Sequence, residues 1–131
     1  MDFKNKVLLI EDEYEIAVEL AEYLEAKGYK VLMTKNATDA INKCLNEKFD
    51  CILTDINLEK GTGDTIILNI KNSFGNPNYS TPIIVISSAI NMGLMDRIKD
   101  LIDYAFVKPY SFQTLVAKMD EVMKKPAKIH K

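Results

Sequence analysis

The sequence predicts an α/β fold: a doubly wound five-stranded parallel sheet with five flanking helices. Three observations predict it. Short β-rich runs alternate five times with stretches of helical apolar spacing. The runs VLLI, CIL and IIVI are continuously apolar, as in strands buried on both faces. Right-handed crossovers between such strands then limit the topology to doubly wound forms.

The first strand is KVLLI (6–10), and the helix after it has Ile16, Ala17, Leu20, Ala21 and Leu24 on one face, with Gly28 as its stop. YKVLM (29–33) is the second strand. Ala37, Ala40, Ile41, Cys44 and Leu45 form the next apolar face, and Asn36 is its predicted N-cap. DCILT (50–54) is the third strand, followed by a shorter helix that Asp64 can cap, with Ile66, Ile67 and Ile70 inward. NSFGNPNYSTP (72–82) reads as a polar irregular loop before the fourth strand, PIIVIS (82–87). After Asn91, the fourth helix uses Leu94, Met95, Ile98, Leu101 and Ile102. YAFV (104–107) is the fifth strand. The last helix is capped by Ser111, faces inward through Phe112, Leu115, Val116, Met119, Val122 and Met123, and stops before Pro126.

At 131 residues the chain suits one domain with a sizeable core. We read 1–131 as a single domain, with a core of about 5–125 and a basic tail over 126–131. A net charge of −2 gives no global signal for nucleic-acid binding. The local bias of KKPAKIHK reads as a solubilising end. Cys44 and Cys51 sit among apolar residues and read as buried thiols of a reducing compartment. One histidine, His130, removes His-rich zinc chemistry and a Ser-His-Asp triad. Glu11 stops the first apolar run after four residues, so it is no signal peptide. Nothing approaches the roughly 20 apolar residues of a membrane span. The expected location is the cytoplasm.

In doubly wound sheets, ligands bind outside the carboxyl ends of the strands. Strand one ends in Glu11-Asp12-Glu13, strand three in Asp55, strand four in Ser87-Ser88 and strand five in Lys108-Pro109. If the order is 2-1-3-4-5, Glu11 and Asp12 face Asp55 across the switch point, with Ser87 and Lys108 on the other side. Carboxylates crowded in this way raise one another's pKa unless a cation joins them. Lys108 supplies one charge, and a hard divalent ion such as Mg²⁺ would supply two. Such a site is poised for a phosphoryl group, with Asp55 as in-line nucleophile and the Ser87 hydroxyl as a donor. Each residue alone is ordinary turn or cap chemistry. Their placement at four strand ends carries the reading.

The motifs LLIEDE (8–13), ILTDINLEKGTG (52–63), TPIIVISS (81–88) and FVKPY (106–110) resemble the receiver domain of bacterial two-component response regulators. The resemblance spans about residues 5–125 and implies the CheY-like, flavodoxin-like order 2-1-3-4-5. It implies Asp55 as phospho-acceptor from a histidine kinase or phosphotransfer protein. It implies Asp12 as a direct Mg²⁺ ligand, Glu11 acting through water, and the Asn57 carbonyl as a further ligand, beside Asp55 itself. Ser87 would move toward the phosphoryl group, Lys108 would pair with it, and the bond before Pro109 would be cis. Such a domain is not an enzyme beyond its own phosphoryl transfer and dephosphorylation. It switches the binding of a downstream protein, and a homodimer through helix four, strand five and helix five is a further expectation.

Several positions depart from the pattern. Glu11 stands where Asp is commoner, Ser87 replaces the commoner Thr, and Glu59 occupies a position that is often Pro. Ala105 stands three residues before the lysine, where receivers carry Tyr or Phe, and its neighbours Tyr104 and Phe106 point to the other face of a strand. A phosphorylation-independent interaction module is therefore the alternative. An Asp-nucleophile phosphohydrolase is disfavoured because Asn57 stands where those enzymes carry a general acid. A flavin site is disfavoured because the first strand–helix turn is acidic. No output domain follows residue 125, so the expectation is a stand-alone receiver or a piece of a longer regulator.

Overall fold

In the computed structural model, residues 5–57, 63–89 and 92–125 are described. The order is β1 (Asn5–Ile10), α1 (Tyr14–Ala26), β2 (Tyr29–Thr34), α2 (Ala37–Asn46), β3 (Cys51–Asp55), α3 (Gly63–Lys71), β4 (Ile83–Ser87), α4 (Met92–Ile98), β5 (Tyr104–Val107) and α5 (Phe112–Lys124). All four strand pairings are parallel, as the apolar runs predict, and the sheet order is β2-β1-β3-β4-β5, as the resemblance implies. β3 and β4 are buried along their whole length, which is why their sequences do not alternate.

The helices close two separate layers. One contains Leu8, Ile52 and Val85 from the sheet with Ala40, Cys44, Ile66, Ile67, Ile70 and Ile98 from α2, α3 and α4. The other contains Leu9, Leu53 and Ile84 with Leu20, Leu24, Leu115, Met119 and Val122 from α1 and α5. Each fully buried Leu, Ile or Val contributes about 1.5–3 kcal/mol relative to exposure, so these layers carry the stability of the fold. Burial also pushes the Cys44 thiol up to about 12 and raises that of Cys51, consistent with inert core thiols.

Two caps form as the sequence predicts. Asn36 accepts from the Asp39 amide at 2.9 Å, and Ser111 accepts from the Thr114 amide at 3.3 Å. Gly28 ends α1 at a φ of 98°, a conformation that disfavours side chains.

Three expectations are corrected. Leu45 is 53% exposed, because α2 turns its face toward Ala37, Ala40 and Cys44. Asp64 does not precede α3: the helix begins at Gly63, and the Asp64 carboxylate instead accepts from Arg97 of α4 at 2.9 Å. α4 ends at Ile98, so Leu101 and Ile102 reach the core from the following turn. The segment 72–82 is the irregular polar loop expected, and it buries Asn76, Asn78 and Thr81. Asn91, Glu59, Pro126, His130 and the basic tail lie outside the described residues. Among the described residues, no helix is long and apolar enough to cross a membrane.

Candidate functional site at the carboxyl edge

The register assembles the site. Asp55 is the last residue of β3 and pairs with Ile86, one residue before Ser87. Ile10 of β1 pairs with Thr54, so Glu11 emerges beside Asp55. Ser87 pairs with Val107, one residue before Lys108, and the Lys108 amide donates to the Ser87 carbonyl at 2.8 Å. Parallel strands in register thus place residues distant in the chain on one edge.

Lys108 is the centre of the cluster. Its Nζ donates to Asp55 Oδ2 at 2.7 Å and to Glu11 Oε1 at 3.2 Å. The side chains of Asp55 and Glu11 are 8% and 6% exposed and that of Lys108 is 23%, so these pairs are shielded far more than surface ion pairs. The other Asp55 oxygen, Oδ1, accepts from the Asn57 amide at 2.8 Å. Burial and the Asp55 charge raise the pKa of Glu11 against the opposing pull of Lys108 and the Glu13 amide. Burial alone would lower that of Lys108, but its hydrogen bonds and charge contacts with Asp55 and Glu11 outweigh this and raise it. Tyr110, just beyond, is pushed up to about 12, chiefly by burial.

The remaining predicted residues take distinct places. Asp12 is half-buried and lines a groove of about 430 Å³ with Glu11, Tyr14, Met33, Lys35 and Lys43. Asn57 is exposed at the end of β3. Ser87 is buried, and its hydroxyl donates to the Ala89 carbonyl and accepts from the Ala89 amide at 3.2 Å. The Lys108–Pro109 bond is cis. Among the described residues, no group of three acidic side chains is arranged as a metal cage. Ala105 packs on the α2–α3–α4 side of the sheet, with Leu94 and Met95, while Phe106 belongs to the α1–α5 side. Tyr104 and Phe106 meet edge to face at 4.8 Å, and Phe106 also borders the small space beside Ala105.

One contributor is missing from the residue-by-residue reading. Gly63 donates its amide to the Ile56 carbonyl at 2.9 Å. A Cβ there would lie 2.6 Å from the Asp55 carbonyl oxygen and 2.9 Å from the Ile56 Cα. Glycine is what lets α3 approach the backbone that carries Asp55. The signal was the second glycine of GTG directly before a helical pattern.

Known proteins share this fold. The chain is 25% identical over 126 residues to the transcriptional regulatory protein RprY of Bacteroides fragilis, across 95% of this chain and 52% of that one. It therefore spans about half the length of that relative. A receiver domain protein from Methanospirillum hungatei superposes with a TM-score of 0.83 at 21% identity, across 90% of this chain and 92% of that chain. A response regulator from Burkholderia pseudomallei is similar at 26% identity and a TM-score of 0.76, across 91% of this chain and 71% of that one. Its structure holds a phosphorylated aspartic acid, a calcium ion and citrate. The model of the response regulator receiver domain matches residues 7–120, nearly the whole of the described fold. The chain belongs to the response regulator receiver domain family.

Proposed function

We propose that this receiver takes a phosphoryl group on Asp55 from a phosphohistidine of a histidine kinase or phosphotransfer protein. The observation that carries the reading is the shared ammonium: one lysine holds Asp55 and Glu11 together at the switch point of the sheet. An Asp55 oxygen attacks phosphorus, the P–N bond of the donor breaks, and an acyl phosphate forms. Lys108 then faces new negative charge on the phosphoryl oxygens and can trade a carboxylate contact for one of them. The Asn57 amide, already on Oδ1, orients the carboxylate. Ser87 would give up its bonds to Ala89 and donate to the phosphoryl group.

The donor set fits a hard divalent ion. Only oxygen ligands lie here, with no thiol or imidazole among them, and Mg²⁺ needs only one or two carboxylates beside water and phosphate. Glu11, Asp12, Asp55 and the Asn57 carbonyl would hold it, and its charge would offset that of the incoming phosphoryl group. The phosphorylated aspartic acid and bound calcium of the Burkholderia protein support this assignment. The phosphorylated form would bind a downstream protein, and the domain would act on nothing but its own phosphoryl group. Incubation with acetyl phosphate and Mg²⁺ tests the proposal by intact mass. Wild type should gain one phosphoryl group and Asp55→Asn none. Equal labelling of both, or of neither, contradicts it.

A further inference from the structure

We infer that Met95 is the side chain through which the position of Ser87 is passed to α4. The inference rests on the phosphoryl reading of Asp55. The Ser87 hydroxyl makes both of its bonds to the Ala89 backbone, and a turn toward Asp55 breaks them. Behind it lies a residual space of about 10 Å³, bordered by Ser87, Val85, Ala89, Met95, Ala105 and Leu94. That is at the lower limit for one water, and interiors this tightly packed do not keep a void. A neighbour must therefore follow when Ser87 moves.

The neighbours differ in what they can do. Ala105 has only a methyl group. Val85, Ile56 and Ile98, which also border the space, are β-branched, buried and stiff in χ1. Phe106 is buried in the opposite layer, and Leu94 is branched, with fewer bonds to turn about than Met95. Met95 is half-buried, unbranched and turns about three bonds, so it can extend into the space at little cost. It sits on the shortest helix of the described residues: α4 has seven residues and one buried side chain, Ile98. The Arg97 pair with the buried Asp64 ties α4 to α3 at its far end. Extension of Met95 toward the sheet therefore draws in the first turn of α4 about that tether, while the sheet stays fixed. In this chain a flexible thioether on α4 does this, with only Ala105 on the strand.

Methyl-labelled methionine makes the inference measurable. Met95→Leu identifies its signal among the six methionines. With Mg²⁺ and beryllofluoride added to the full chain, ¹⁹F resonance reads occupancy at Asp55 separately. The inference expects bound fluoride, a Met95 methyl shift larger than its linewidth, and changed amide exchange over 92–98. In Met95→Ala, fluoride should still bind and the exchange response should be lost. Bound fluoride with a stationary Met95 methyl overturns the inference and leaves the phosphoryl reading standing. So does an unchanged exchange response in Met95→Ala. Absence of bound fluoride in wild type overturns both. The wild-type methyl signal decides even if the alanine variant folds poorly.

Discussion

Two buried polar clusters lie at opposite edges of this sheet, and each is organised by a lysine. At the amino edge, Lys71 is 4% exposed and donates to the carbonyls of Tyr79 at 2.7 Å and Thr81 at 2.6 Å. Beside it, Asn78 accepts from the Phe49 amide at 2.8 Å and donates to the carbonyls of Cys44 and Glu47, both at 2.8 Å. Thr81 Oγ1 donates to the Phe49 carbonyl at 3.0 Å. At the carboxyl edge, Lys108 instead meets two carboxylates. The amino-edge partners are backbone groups that nothing else can replace, so that cluster is a permanent staple between α2, β3 and the loop over 72–82. The carboxyl-edge partners are ionised side chains, and a phosphoryl group can displace one of them. Burial of polar groups fixes structure at one edge and prepares chemistry at the other.

The largest expected effect breaks the staple. Asn78→Ala leaves a buried amide, a buried carbonyl and a half-buried carbonyl short of partners, and should lose about 3 kcal/mol or more. Urea denaturation checks it, and a loss under about 1 kcal/mol would erase the contrast between the edges. Next comes Gly63→Ala, whose methyl group must push the backbone of Asp55 and Ile56 aside. It should cost about 1–3 kcal/mol and slow phosphoryl uptake as well, joining a stability effect to a functional one. Asp55→Asn should change stability by less than about 1 kcal/mol, because Lys108 keeps Glu11 and one of two repelling charges is gone, while uptake is lost. A large stability loss there would make the carboxyl edge a second staple.

The smallest effect is a pH dependence in metal-free buffer. Burial and then Asp55 raise the pKa of Glu11 above the ordinary 4.5. The folded state holds that proton more tightly than the unfolded chain does. Its contribution is fully present below pH 4.5 and is lost as pH rises through the raised value. Across that window Glu11→Gln should gain stability relative to wild type as pH increases, and a flat difference contradicts the shift.

The same contrast explains what could be read in advance. Strand runs such as IIVI and the residues ending them are local signals, so sheet order and the meeting of Asp55 with Lys108 were legible once the topology was. Burial of Asn78 was not, because NSFGNPNYSTP has the composition of an exposed loop and only tertiary contacts turn its amide inward. Leu45 fits the helical spacing, yet α2 satisfies its core with smaller residues. Gly63 displaced Asp64 from its predicted cap because backbone proximity, invisible in composition, sets where α3 begins. The pairing of Glu11 with Lys108 needed coordinates, since crowding of acids predicts a cation but not how one ammonium divides between them.

Chemical mapping of the phosphorylated residue tests the central claim most directly. After reaction with acetyl phosphate and Mg²⁺, borohydride converts an acyl phosphate to an alcohol, so an aspartyl phosphate becomes homoserine, which peptide sequencing by mass spectrometry can place. The account predicts homoserine at position 55 alone. Homoserine at another acid, or none despite a measured gain of phosphate, would contradict it.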